Sequence, residues 1–395
     1  MSATVKAHGM DGTLVDPDWP PLTLAEVRTV LALFPALTEP IRILFASPRP
    51  LSAAAVVGTA SGRVFIKRHY HTVRDAEGLL EEHRFLAHLI ANGASVPRVL
   101  PSSAGDTAIE IGDWTYEVHE TPEGVDLYED AISWTPFRTA SHANSAGQAL
   151  ARLHLAAHGF AAPPRKPRPL VASFTIFAAK DPSVELERFL TVRPSLASNP
   201  AVRVNCKQAL QLLAPFHAQL VPFLPALPAL WTHNDLHASN LFWSDLSENA
   251  SATAIIDFGL ADRTSAVHDL ANAIERNIVE WLVLVADPAH PGDVPIHLDL
   301  LQALLDGYQS VRPLSAEEAA ALAPMTALCH AEFALSEAEY FLTALHSNEK
   351  ASMAYDGWLA GHARWFRSSA GRKLLDAIQS WVVTRSQLQQ KVRAR

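Results

Sequence analysis

The stretch "LWTHNDLHASNLFW", Leu230 to Trp243, sets two histidines, two asparagines and an aspartate between two apolar flanks. Such a segment can serve as a metal site, a catalytic loop or a polar turn, and its own residues do not choose among these. Asp235 and Asn240 stand five apart on the polar part, which runs into the apolar "LFW". Seventeen residues beyond Asn240, in "AIIDFG" (254–259), an apolar strand delivers a second carboxylate, Asp257, just before Phe258 and Gly259.

Asp and Asn favour turns in general, but this joint spacing has a chemical use. Phosphoryl transfer from ATP needs a carboxylate facing the acceptor and two oxygen ligands for Mg²⁺. Asp235 is placed to accept or orient a substrate hydroxyl. Asn240 and Asp257 supply the oxygen that a hard cation prefers.

Bulk properties narrow the field. A chain of 395 residues that is 49% hydrophobic can bury a large core and suggests two domains. The net charge of −9, with no long Lys/Arg cluster, gives no electrostatic case for nucleic acid. Only Cys206 and Cys329 occur, so no disulfide framework is expected. "MSATVKAHGMDG" has no apolar h-region, and the longest apolar run, "LVPFLPALPALW" (220–231), is broken by prolines. The expectation is a cytoplasmic protein with neither membrane nor nucleic-acid partners; oligomeric state is unreadable. "GMDGTLVD" (9–16) imitates the opening of a dehalogenase-type phosphatase. That chemistry needs an Asp where Gly9 stands and an apolar strand before it. The ordinary reading is a polar leader before a helix, Leu24–Phe34.

Residues 41–67 read as strands, with "TASG" as the turn between "SAAAVVGT" and "RVFIKRH". "AEGLLEEHRFLAHLIANG" (76–93) follows as a helix with one apolar face, ended by Asn92-Gly93. "VPRVL", "TAIEIGD" and "WTYEVHE" read as three more strands. After "TPEGVD" (121–126) the texture turns helical: residues 142–160, 201–220, 266–286, 296–310 and most of 315–345. The boundary falls near Glu123. The proline-rich "APPRKPRPL" (162–170) reads as a surface loop, with a lid as the alternative.

"HNDLHASNLF", "AIIDFG" and "HDLA", in that order, resemble the aminoglycoside phosphotransferase and choline kinase superfamily of kinase-like enzymes. "LARLH" (150–154) resembles that superfamily's helix motif ahead of the catalytic loop. Residues 64–100 resemble its small lobe. The ordered match covers about Val56 to Ala273; residues before 40 and after about 290 lie outside it. The resemblance implies an α+β, bilobal protein-kinase-like fold. Residues 1–40 would be an extension, 41–122 a nucleotide-binding N-lobe with an antiparallel sheet, and 123–395 a helical C-lobe with the catalytic loop. It implies an ATP- and Mg²⁺-dependent phosphotransferase acting on the hydroxyl of a small molecule, such as an aminoglycoside, choline or homoserine.

Roles follow residue by residue. Lys67 resembles the lysine that pairs the ATP phosphates, and Glu82 its helix partner, with Glu81 as the alternative. Val118, His119, Glu120 and Thr121 resemble the interlobe hinge that binds adenine. Asp235 resembles the catalytic base, with Asn240 and Asp257 as metal ligands. His233 would brace the loop, and Asp269 would anchor it. His237 reads as a loop histidine without a role.

Two departures stand out: the loop "SPRPLSAAAVVG" (47–58) holds a single glycine, and Asn234 replaces the family's frequent Gly. Rival readings are a zinc hydrolase built on His233, Asp235 and His237, a nucleotide-binding pseudokinase, and a Ser/Thr protein kinase of the bacterial stress-response type. Against the last, only eleven residues separate Asp257 from Asp269, and no A-P-E motif follows. Glu332, Glu337 and Glu339 read either as a seat for a cationic acceptor or as an ordinary solvated face.

Overall fold

A computed structural model describes residues 6–9, 12–37, 39 and 41–393. The chain opens on a small hairpin, β1 (Ala7–His8) and β2 (Leu14–Val15), where a polar leader without strands is the expectation. Met10 and Asp11 of the phosphatase-like motif lie outside the described residues. Helix α1 (Leu24–Leu31) begins on a capping box, Thr23 with Glu26, and ends three residues before Phe34.

Five antiparallel strands build the N-lobe: β3 (Arg42–Ala46), β4 (Ala53–Thr59), β5 (Gly62–Tyr70), β6 (Ile109–Ile111) and β7 (Trp114–Glu120), in spatial order 3-4-5-7-6. Helix α2 (Ala76–Ala91) crosses between β5 and β6, capped by Asp75. "VPRVL" is no full strand: it contributes one bridge, Val99 to His119, because Pro97 lacks the donor a ladder needs.

The two-residue period of a strand sorts this sheet into two faces. Val64 and Ile66 of β5 and Tyr116 and Val118 of β7 pack with Val27, Val30, Leu31 and Phe34 in one apolar core. On that face Arg68 pairs with Glu26 at 2.7 Å, and the Tyr116 hydroxyl donates to the same carboxylate at 2.6 Å. The alternate residues, Lys67 and His69 of β5 and Glu117 and His119 of β7, face α2 and the interlobe cleft. Helix α1, set apart from the sequence as part of an extension, thus covers half of the N-lobe sheet.

The C-lobe holds α3 (Ala140–Ala157), α4 (Pro182–Thr191), α5 (Pro194–Ala197) and α6 (Pro200–Leu220), then two short hairpins. Strand β8 (Ala229–Thr232) pairs with β11 (Asp262–Ser265), and β9 (Leu241–Trp243) with β10 (Ala252–Ile255). Helices α7 (Ala266–Ile278), α8 (Trp281–Ala286), α9 (Leu298–Val311), α10 (Ala316–Leu328) and α11 (Ala331–Thr343) follow. The chain closes with α12 (Asn348–Ser352), a π-helical stretch (Met353–Ala360), α13 (Gly361–Phe366) and α14 (Ser369–Arg393). The expected helix over 266–286 breaks at Val279, which goes extended to bridge Ile296.

Among the contacts that join the lobes, three crossings lie far apart. At the linker, Gly124 adopts φ +111°, and a Cβ there would stand 2.4 Å from the Trp243 carbonyl. Val125 and Trp243 exchange backbone hydrogen bonds at 2.8 and 2.9 Å. At the N-terminus, Trp19 stacks on Tyr70 and donates to the Tyr340 hydroxyl at 2.9 Å, while Asp18 pairs with Lys350. The third is the proline-rich segment. Arg165, with its side chain out of solvent, donates to the Gly78 carbonyl of α2 at 2.7 Å and to the Gly259 carbonyl at 3.1 Å. This segment is therefore neither a free surface loop nor a lid but a packed strap. Among the described residues no helix is long and apolar enough to cross a membrane.

Candidate active site

Strand β8 delivers the loop His233–Asn240, and helix α7 holds it from behind. Buried Asp269 accepts from the backbone N–H groups of His233 and Asn234 at 2.8 Å each, and from His154 Nε2 at 3.0 Å. Burial pushes its pKa up, but the bonds it accepts from His154 and from the backbone bring it below the ordinary value. Asn234 sits at φ +63°, a region most side chains avoid and Asn tolerates. This explains Asn where the family often has Gly. The amide adds bonds glycine could not: it accepts from Thr232 Oγ1 at 2.8 Å and donates to the Ala172 carbonyl at 3.0 Å.

His233 braces the loop through both nitrogens. Nε2 donates to the Ile256 carbonyl at 2.9 Å, which leaves Nδ1 to accept from the Asp235 N–H at 3.1 Å. The Ile256 N–H in turn donates to the Asn240 carbonyl at 2.9 Å, placing Asp257 beside Asn240. Asn240 uses its amide nitrogen on the Asp235 carbonyl at 2.9 Å. Its side-chain oxygen is the atom it can offer a cation. Asp257 is also left-handed, at φ +59°; strain of this kind persists where the surroundings over-determine it. Below it, Phe258 packs edge-on against Phe85 of α2 and against His233.

Lys67 reaches this point from the N-lobe, its Nζ 2.8 Å from Asp257 Oδ1. Burial pushes the Asp257 pKa up, and the adjacent ammonium more than reverses this, so Asp257 stays ionised. Lys67 stays charged because Asp257, Glu117 and Glu82 together outweigh its burial. Its ion-pair partner is Asp257 rather than Glu82. Arg165 takes up that helix edge, 3.4 Å from Glu81 and 3.9 Å from Glu82. Glu82 nonetheless lines the cleft with Lys67.

A cavity of about 850 Å³ between the lobes is lined by Lys67, Glu82, His119, Glu120, Thr121, Asn240 and Asp257. Val118, the fourth hinge residue named from sequence, points to the opposite face, into the core under α1. A second cavity of about 160 Å³ shares Lys67, Asn240 and Asp257 with the first and continues past Asp235 to Trp134, Phe333 and Glu337. Asp235 lines only the smaller one, beside residues that the two share.

Several residues that sequence reasoning left aside converge here. Arg276 of α7 is fully buried, with Nε 3.1 Å from Asp235 Oδ1 and its guanidinium over the rings of Trp134 and Phe333. Its nitrogens make no well-aligned hydrogen bond. Burial raises the Asp235 pKa to about 6, against the pull of Arg276. Arg49, from the glycine-poor loop, lines both cavities and feels the charges of Asp126, Asp257 and Asp235. The one available signal was an arginine between two prolines in a loop expected to cradle phosphate.

His237 is no idle loop residue. It is buried, 3.8 Å from Asp235, and held neutral by burial together with Arg49 and Arg276. His233, Asp235 and His237 do not form a metal cluster: the described residues offer two such groups, both elsewhere. Glu332, Glu337 and Glu339 are no solvated face. Glu332 accepts from the Ile176 N–H at 2.5 Å and Glu339 pairs with Arg193 at 3.1 Å. Glu337, raised to about 8 by burial, lines the acceptor-side cavity.

The donor set fits a magnesium nucleotide. Asn240 and Asp257 offer side-chain oxygens beside Lys67, and all three line a cavity large enough for a nucleotide. The chain is also similar to known proteins. The chain is 27% identical over 237 residues to a homoserine kinase of Azorhizobium caulinodans, covering 60% of this chain and 61% of the relative. It is 31% identical over 240 residues to a homoserine kinase of Mesorhizobium japonicum, covering 60% and 62%. The match thus spans about three fifths of the length of these relatives. Among solved structures, a microcompartment-associated aminopropanol kinase superposes with TM-score 0.58 at 16% identity, over 90% of this chain and 99% of that one. An amicoumacin kinase, solved with AMP-PNP, Ca²⁺ and Ami, gives 0.54 at 15%, over 86% and 92%. These two share the fold, an antiparallel N-lobe on a helical C-lobe. A profile of the phosphotransferase enzyme family matches residues 52–314, well over half of the sequence, and the chain belongs to that family.

Proposed function

We propose that this protein transfers the γ-phosphate of ATP to a hydroxyl group of a small molecule. The observation that carries the reading is the junction of the two cavities. Both hold Lys67, Asn240 and Asp257, and the smaller leads on past Asp235 to Trp134, Phe333 and Glu337. In this reading the acceptor hydroxyl donates its proton to Asp235 as its oxygen attacks the γ-phosphorus, and the bond to the ADP oxygen breaks. Lys67 and Arg49 hold the phosphates in line. Asn240 and Asp257 hold Mg²⁺, which when bound neutralises charge on the phosphate oxygens. Glu120 and Thr121 meet the adenine, and Glu82 adds negative charge behind Lys67. Asp235 near 6 suits a base working at neutral pH.

A small acceptor is favoured over a protein. Residues 262–265, in the interval where a protein kinase carries its peptide platform, are tied as β11 to β8. The pocket beyond Asp235 is narrow and walled by aromatic rings. Homoserine and short amino alcohols are the leading acceptors, from the names of the relatives. Cytoplasmic residence belongs to the same proposal, in keeping with an ATP requirement and with Cys206 and Cys329, both free and buried.

The test is ADP release with homoserine, aminopropanol, choline and aminoglycosides, followed by labelled ATP with a protein extract and with a desalted metabolite extract. Turnover with one small acceptor is the expected outcome. Labelling of protein alone would overturn the reading and favour a protein kinase; nucleotide binding without any transfer would favour a pseudokinase.

A further inference from the structure

Two groups of buried imidazoles gather around a glutamate, one in each lobe, and they differ in a telling way. In the N-lobe, His69, His83 and His119 each bring Nε2 to within 2.8–2.9 Å of a Glu117 oxygen, and His83 Nδ1 meets Thr107 at 2.8 Å. Both oxygens of that carboxylate are thus bonded, and His119 Nδ1 is left without a partner. In the C-lobe, Glu275 of α7 meets His330, which precedes α11, and His362 of α13. Their side chains are 1%, 4% and 4% exposed. The Nδ1 atoms stand 3.5 and 3.2 Å from Glu275 Oε1, yet no ring nitrogen of either histidine makes a hydrogen bond, and Glu275 Oε2 has none either. Buried polar atoms are nearly always satisfied, and a cluster that is not calls for a missing partner such as an ion or a water.

We infer that Glu275, His330 and His362 form a zinc site, distinct from the nucleotide metal. One donor atom from each residue lies within 4.8 Å of the others. Donors on a tetrahedral zinc, about 2.0–2.1 Å from the metal, stand a little over 3 Å apart, close to the separations found here. Two imidazoles and a carboxylate are a donor set zinc accepts, with water at the fourth position. A ligand imidazole must be neutral. His362 lies flat against Trp281, ring centroids 3.7 Å apart, which fixes its plane.

The place of this site in the fold gives it a purpose. The ion would join three helices with no covalent link. Glu275 precedes Arg276, which meets Asp235. His330 stands edge-on to Trp134 and Phe333, two walls of the acceptor-side cavity. Zinc there would hold the acceptor wall against the catalytic loop without touching substrate. An enclosed site of this kind loads during folding.

The test is the metal content of the full-length protein purified without chelator, measured by plasma mass spectrometry. About one zinc per chain is expected, and refolding with Co²⁺ should give the visible absorption of a four-coordinate cobalt(II) site. His330→Asn and His362→Asn should each lower zinc content and melting temperature, whereas His83→Asn should retain zinc. The wild-type measurements keep the inference falsifiable even if the histidine variants do not fold. Metal-free wild-type protein that also gives no cobalt spectrum would overturn it, as would zinc lost from His83→Asn and kept by His362→Asn.

Discussion

The phosphate end and the acceptor end of the cleft are built on opposite principles. At the phosphate end the loop residues are already engaged, although His119 Nδ1 and Thr121 Oγ1 of the hinge have no partner. Asp269 holds two backbone amides, His233 uses both nitrogens, Asn240 bonds Asp235, and Lys67 pairs with Asp257. At the acceptor end Arg276 lies between two rings with no well-aligned bond, and Glu337 Oε2 has no partner at all. Donors fixed before reaction stabilise charge without reorganising, which suits the step common to the family. Buried groups left unpaired discriminate strongly, because a ligand lacking the matching group leaves them unpaired. Under the proposed function, the chemistry would rest on the first set and the choice of acceptor on the second.

The contrast can be broken at four points. The largest effect is expected at Asp235→Asn, which should cut kcat by roughly 10²–10⁴-fold, the usual worth of a positioned base. Titration of Mg·ATP should show nearly unchanged affinity; kcat within tenfold of wild type would remove Asp235 from the mechanism. Asp257→Ala comes next. It removes the charged oxygen ligand and leaves Lys67 unpaired, so calorimetry should find the magnesium dependence of nucleotide binding gone. Unchanged metal dependence would return Asp257 to a structural role.

Arg276→Met sharpens the comparison, because this residue belongs to both ends. Burial raises the Asp235 pKa to about 6, and Arg276 holds it from rising further. An Asp235 carboxylate that must accept a proton is active above its pKa and silent below it. Activity should therefore fall as pH drops through about 6, and Arg276→Met should move this acid limb to higher pH while lowering kcat/KM for the acceptor. A limb that stays in place would sever the link between Arg276 and the base. The smallest effect is expected at Glu337→Gln. Burial holds this carboxyl near 8, so it is mostly protonated at neutral pH and Gln resembles it. Acceptor KM at neutral pH should barely move, while any change of KM through pH 8 should vanish.

The two ends also differ in how far they could be read from sequence. Residues 233–257 lie in one run, and phosphoryl transfer needs their types at that spacing, so Asp235, Asn240 and Asp257 could be named and the structure brings them together. The acceptor wall comes from Trp134, α7 and α11, whose residues look like ordinary helix positions. Glu332, Glu337 and Glu339 read as a cationic seat or a wet face, and Ala331–Phe341 is buried on every side, so polarity there signals bonding rather than exposure. Glu82 was legible as a helix residue resembling the lysine's partner but not as a neighbour of Arg165, since no local pattern shows where a proline-rich strap will pass. Helix α1 was visible as a helix, while its seat on the sheet depended on the alternation in β5 and β7 being read for both faces.

The three crossings between the lobes have a kinetic meaning. A single linker at Gly124 would let the lobes swing like a book on its spine. Trp19 on Tyr340 and Arg165 between Gly78 and Gly259 add two supports away from that spine. A body held at three separated points has no common axis to turn about. Wide opening then requires one support to let go first. The loop that carries Arg49 adds to this hold, since Arg49 donates across the cleft to the Ala131 carbonyl at 2.9 Å and to Ser133 at 3.1 Å.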